Sequence, residues 1–121
     1  MKRLNLSLFT NILAMCKTLH WATYSHNKHI ALDQAYDDFA GTFDKFVEVA
    51  LGIYGRESVA VTPLSVKVVT DEDILKYVED ELVTFNNALT PVIGDYSQLS
   101  SIFDEIKGIE NQLIYRLKSN A

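Results

Sequence analysis

Near the start of the chain, apolar residues recur as Leu4, Leu8, Ile12, Met15, Cys16 and Leu19. Steps of three and four are the period of a helix with one buried face, so a first helix is predicted from Leu4 to about Trp21. The polar run "YSHNK" breaks it. A second pattern, Leu32, Ala35, Tyr36, Phe39, Phe43 and Phe46, predicts the longest helix, from about His29 to Tyr54, with Gly55 placed to stop it. "GRESVAVTPLSVKVV" has no helical period and contains a proline, so it reads as a loop with a short extended or helical piece. Thr70 then reads as an N-cap ahead of acids in a first turn. It opens a third helix with the stripe Ile74, Val78, Leu82, Phe85 and Leu89, which Pro91 ends or kinks. After the turn "GDYSQ", a fourth helix is marked by Leu99, Ile102, Phe103, Ile106, Leu113 and Leu117. The expectation is an all-α protein, one domain over residues 1–121, built as a four-helix bundle with a long loop between helices two and three.

Composition narrows the classes. A chain of 121 residues that is 48% hydrophobic and 22% charged can bury a real core and does not have the profile of a disordered segment. The formal charge of −5, with only Lys2 and Arg3 as a basic start, argues against binding to the nucleic-acid backbone. A single cysteine, Cys16, excludes an internal disulfide and a Cys-based zinc site, and its apolar neighbours make it core. No apolar run approaches the ~18 residues of a membrane span, and polar residues interrupt "LNLSLFTNILAMC", unlike the core of a signal peptide. A cytoplasmic protein without membrane partners is expected.

The candidate chemistry lies on helix two. On a wheel of about 100° per residue with His29 at zero, Asp33 falls at about 40°, Asp44 at about 60°, Asp37 at about 80° and Glu48 at about 100°, while the aromatic face centres near about 290°. No Lys or Arg lies four residues from these acids, and Lys45, at about 160°, faces outward. The strip therefore lacks a counter-charge. His29 with Asp33 and Asp44 with Glu48 are i, i+4 pairs, side by side, of a type that suits metals taking O and N ligands. Ala40 and Gly41 lie between the pairs, and a mid-helix Gly, which costs about 1 kcal/mol against Ala, suggests close approach of another backbone. The bland alternative is a solvated polar face.

Asp33 and Asp44 are about 16 Å apart along the axis, too far to share one ion within one chain. A second copy lying antiparallel across a two-fold axis near residues 38 and 39 would bring His29 and Asp33 of one chain to Asp44 and Glu48 of the other, and symmetry would make the site twice. His20, at the end of helix one, could supply a third ligand to the same half-site; otherwise it is a capping or core histidine. Trp21 reads as an aromatic neighbour of the metal or as bundle core, and His26 as an exposed loop residue.

Leu19-His20-Trp21, followed on the second helix by His29, Asp33, Asp44 and Glu48, resembles the Dps-type mini-ferritins of the ferritin-like superfamily. The resemblance covers residues 4 to about 55 and is loose beyond. It implies a ferritin-like bundle and an inter-subunit ferroxidase centre in which His20, His29 and Asp33 come from one subunit and Asp44 and Glu48 from its two-fold mate. It also implies iron as the bound metal, for which zinc could stand in, and Fe(II) oxidation and sequestration as the activity. The interval from His20 to His29 is three residues shorter than is usual in that family. With that, the short chain and the absence of a basic tail, neither a twelve-subunit cage nor DNA binding is carried over.

Two rivals stand beside this reading. A metal site inside one bundle would use Glu-x-x-His, which the chain lacks, though Glu81 and Glu110 fall within the apolar arcs of helices three and four. The bland reading of those two is a hydrogen bond to a tyrosine or a side chain whose end reaches solvent. The other rival is a non-catalytic helical interaction or structural protein that keeps the fold without a working metal site.

Overall fold

The first helix begins at Ser7 rather than Leu4, because the residues before it are used elsewhere. In the computed structural model, which describes residues 4–119, Leu4–Asn5 form a short strand, β1. β1 runs parallel to Val59–Ala60, β2, with Leu4 opposite Val59 and Asn5 opposite Ala60. Lys2 and Arg3 lie outside the described residues. The Asn5 side chain accepts from the Ser7 amide at 3.0 Å and so ties off the start of α1, Ser7–Ala22. Leu4 is still buried, but as a strand residue opposite Val59.

α2 spans His26–Tyr54, α3 Ile74–Ile93 and α4 Ser97–Lys118. α2 opens earlier than its apolar period indicates: the Ser25 hydroxyl accepts from the Lys28 amide at 3.2 Å, so His26 is an exposed helical residue rather than a loop residue. Gly55 stops α2 at φ +85°, a backbone state that glycine adopts without strain. Pro91 does not end α3. It sits in the last turn, where it removes one backbone hydrogen bond, while Val92 stays buried and its carbonyl accepts from the Tyr54 hydroxyl. The stop comes at Gly94, at φ +49°.

The segment between α2 and α3 starts with a 3-10 turn, Arg56–Ser58, and ends with another, Asp71–Asp73. Thr70 precedes the second turn, and its hydroxyl bonds the Asp73 side chain rather than capping a backbone amide. Between these turns the chain crosses from the β1/β2 end to the opposite end. Thr62 is bonded to Ser7 and the Ser65 amide to the Asn11 side chain, while Asp71 meets Thr23 at the far end of α1. α2 and α3 therefore run the same way, and α1 and α4 the other way. α1 packs on α2 and α3, and α4 packs on the same two, leaving α1 and α4 on one diagonal and α2 and α3 on the other.

The core is continuous from Leu4 to Leu117 and joins all four helices. At its centre Phe9 of α1, which the apolar period of that helix passes over, stands 5.3 Å from the Phe43 ring and 5.5 Å from that of Phe85. Phe39 stacks on Phe43 at 5.0 Å. Cys16 is fully buried among these residues, and burial pushes its thiol up to about 12, so it is an inert core side chain. Among the described residues no helix is long and apolar enough to cross a membrane.

Candidate functional site: the His20–His29 turn and the acidic strip of α2

The turn between α1 and α2 is short and tightly bonded, and this brings the two histidines together. The Thr23 amide closes α1 on the Leu19 carbonyl, Thr23 is extended at ψ 145°, and the Ser25 amide bonds the Thr23 hydroxyl. Asp71, from the start of the α3 region, accepts from the Thr23 hydroxyl at 2.7 Å and the Tyr24 amide at 3.1 Å. One carboxylate thus anchors the turn to a distant part of the chain. Nothing in the helical period reveals this, since Asp71 reads only as an acid in a first turn.

His20 and His29 stack with ring centroids 3.8 Å apart and planes 21° from parallel. Each ring bonds the other residue's main chain: His20 Nδ1 donates to the His29 carbonyl at 2.7 Å, and His29 Nδ1 donates to the His20 carbonyl at 2.8 Å. A carbonyl oxygen only accepts, so both protons sit on Nδ1, and in the neutral rings both Nε2 atoms carry free lone pairs. The two bonds fix the tautomer and the direction of each ring, as the outer hydrogen bond of a metal-bound histidine does elsewhere. His20 Nε2 lies 3.8 Å from Asp33 Oδ1, so His20, His29 and Asp33 share one corner of the molecule. The shortened interval between the histidines does not keep His20 away. Trp21 is 74% exposed and is not bundle core.

The acidic strip does have a counter-charge at this end, supplied by another helix. Lys17 of α1 reaches Asp33 Oδ1 at 3.2 Å, and its ammonium sits 4.3 Å from the centre of the Tyr36 ring. A wheel drawn for α2 alone misses it. The available signal was that Lys17 lies three residues before His20, on the same face of α1. Lys45 turns outward as its wheel position indicates and bonds Glu105 of α4 at 2.8 Å.

At the other end of the strip Asp44 and Glu48 are exposed and face each other. A hydrogen bond to the Asp44 carboxylate, together with its charge, holds the Glu48 carboxyl above the ordinary carboxylate range. Asp37 is exposed on the same flank, and Asp38 accepts from Gln34. Gly41 is exposed with nothing near the position a Cβ would take, so within one chain no second backbone approaches it. Among the described residues no three His, Cys, Asp or Glu side chains of one chain gather as a group able to hold a metal ion.

Residues 20–117, a stretch that starts at His20 and takes in all five candidate ligands, match the model of a family of unknown function, DUF5856. The chain belongs to that family. No curated protein and no solved structure matches it. The DUF5856 match covers α2 and α3 entirely and α4 to Leu117, together with the Asp71 anchor and the Asn86–Glu110 contact described below.

The two acids inside the apolar arcs differ from each other. Glu81 is half-buried beside Tyr77 on its own helix, in keeping with a tyrosine partner. Glu110 is 5% exposed and accepts from Asn86 Nδ2 at 2.8 Å, so it neither bonds a tyrosine nor reaches solvent.

Proposed function

We propose that this protein is a ferritin-like iron-binding protein that takes up Fe(II) and oxidises it at a site shared by two copies of the chain packed across α2. The observation that carries this reading is the reciprocal bonding of His20 and His29, which leaves both Nε2 lone pairs free, that of His20 at 3.8 Å from Asp33. The helix order supports it: one long crossing joins parallel α2 and α3, and ferritin-like bundles carry one long crossover. Two imidazoles and carboxylates fit Fe(II), with Zn(II) as a surrogate. His20, His29 and Asp33 of one copy and Asp44 and Glu48 of its mate would hold the metal. Each bound Fe(II) would give one electron to peroxide or dioxygen, two Fe(II) and two protons reducing one peroxide to water. The protein orients both rings through their Nδ1 bonds, and a cation placed against Asp44 and Glu48 would relieve the repulsion between those carboxylates.

A second reading, a helical interaction module without a working metal site, is favoured by one contact. Lys17 already satisfies Asp33 without a metal.

Native mass spectrometry of the full chain before and after anaerobic Fe(II) separates the two. The expected result is a dimer or larger assembly with about two irons or more per dimer, since a two-fold axis makes the site twice. Iron should be lost both in a His29→Ala/Asp33→Ala variant and in Glu48→Ala. Metal at about 100 times its Kd should also add about 2.7 kcal/mol to stability in the wild type alone. Unchanged metal content in either variant, or a metal-free wild type, overturns the shared site.

A further inference from the structure

Glu110 occupies a core position of α4, in register with the buried Ile106, Leu113 and Leu117. An acid is rare at such a position unless it is paired. Two buried side-chain polar atoms lack a partner among the described residues, Glu110 Oε2 and Asn86 Oδ1. Both are acceptors when the acid is ionised, and both belong to the residue pair already joined by Asn86 Nδ2 donating to Glu110 Oε1. A buried acceptor left unpaired costs about 1–3 kcal/mol, so two on one contact require an explanation.

One proton accounts for both. A neutral carboxylic acid has one donor and one acceptor in a plane, as does a primary amide, and the two can close a ring of two hydrogen bonds. We infer that Glu110 is held as the neutral acid, with Oε2–H donating to Asn86 Oδ1, so that the pair is a proton-latched clamp between α3 and α4. Loss of that proton leaves a carboxylate oxygen against an amide oxygen, and the clamp is released along the groove of about 310 Å³ that both residues line.

Among the described residues that line the groove, Glu79 of α3 and Lys107 of α4 are the other charged groups, with Asn111 the remaining polar neighbour. On antiparallel α2, where Lys45 pairs with Glu105 and Gln34 shares a pocket with Arg116, the charged residues nearest the level of Glu110 are Asp37, Asp38, Asp44 and Lys45. Lys45 is taken up by Glu105, and Asp38 is bonded to Gln34. Burial raises the Glu110 carboxyl above its ordinary range, against smaller opposing effects of Asn86 and Lys107. With the folded value above an unfolded one of about 4.3, the clamp's contribution is complete below the unfolded value and is lost as pH rises through the folded one.

Carbon-detected NMR of the full chain, following the Glu110 carboxyl, is the direct test. It should titrate above the ordinary glutamate value of about 4.3, and titration at or below that value overturns the clamp. Glu110→Gln, whose amide supplies a permanent donor in place of the acid proton, should melt with the wild type near about pH 4.5. It should then exceed the wild type by a margin growing to about 4 °C or more by about pH 8. A margin independent of pH, or a loss at every pH, overturns the clamp as well. Neither readout involves metal, so its outcome is separate from that of the iron site.

Discussion

His29 and Asp33 lie at an end of α2 that α1 has built around them, with Lys17 on the carboxylate and the His20 main chain on the ring. Asp44 and Glu48, about 16 Å further along the same helix, face each other in solvent. One end is neutralised and oriented within the chain; the other keeps an uncompensated pair of like charges. Two ligand pairs of the same spacing thus have different environments, and the difference comes from which neighbouring helix reaches them. An oriented donor pair at one end and an unrelieved charge at the other would complement each other across a two-fold axis.

The comparison can be tested most strongly through what the two ends share. Phe39 lies fully buried midway along α2, stacked on Phe43, and holds the helix to the core under both pairs. Phe39→Ala should cost about 3–5 kcal/mol in chemical denaturation. A cost below about 1 kcal/mol would mean that the centre of α2 collapses around the cavity and does not fix the spacing of the two ends.

A smaller effect tests the neutralised end alone. Lys17→Met keeps the aliphatic stem but removes the ion pair with Asp33 and the cation over Tyr36, and the Asp33 side chain is about half exposed. Solvent screening limits the loss to about 0.5–1 kcal/mol, shrinking in about 1 M salt. If denaturation midpoints were unchanged at low salt, the two ends would be electrostatically alike.

The smallest effect concerns the uncompensated end. Asp44→Asn removes the partner that raises Glu48, so the Glu48 carboxyl should fall toward the ordinary range in an NMR titration. A raised carboxyl contributes fully below its unfolded value of about 4.3 and loses that contribution as pH rises through the folded one. The substitution should therefore raise the melting temperature by on the order of 1 °C near neutral pH and leave it unchanged well below about pH 4. A drop at neutral pH would mean that Asp44 has a partner other than Glu48.

Much of the helical frame was legible in the chain. The stripes of α3 and α4 repeat at three and four with few interruptions, and Ile74, Val78, Leu82, Phe85, Leu89, Leu99, Ile106, Leu113 and Leu117 are all buried. The start of α1 was not, because Leu4 and Asn5 pair with Val59 and Ala60, far along the chain. Pro91, read as ending or kinking α3, lies two residues before its end: the cost falls on one hydrogen bond of a last turn that burial of Val92 and the Tyr54 hydroxyl hold in place. At the candidate site the spacing of His29, Asp33, Asp44 and Glu48 was readable, whereas Lys17 and Asp71 reach it from other elements.

The sequence by itself determined which residue types share a face, because helical period is a local property that apolar spacing and capping residues encode directly. It determined the four helices, the buried thiol of Cys16 and the strip of acids on α2. Only the tertiary structure decided how those faces were completed. It stacked His20 on His29 with both Nδ1 protons committed, set Lys17 against Asp33, exposed Trp21 and buried Glu110 against Asn86. Each of these depends on groups brought together by a turn or by packing between helices, and distance along the chain carries no record of them.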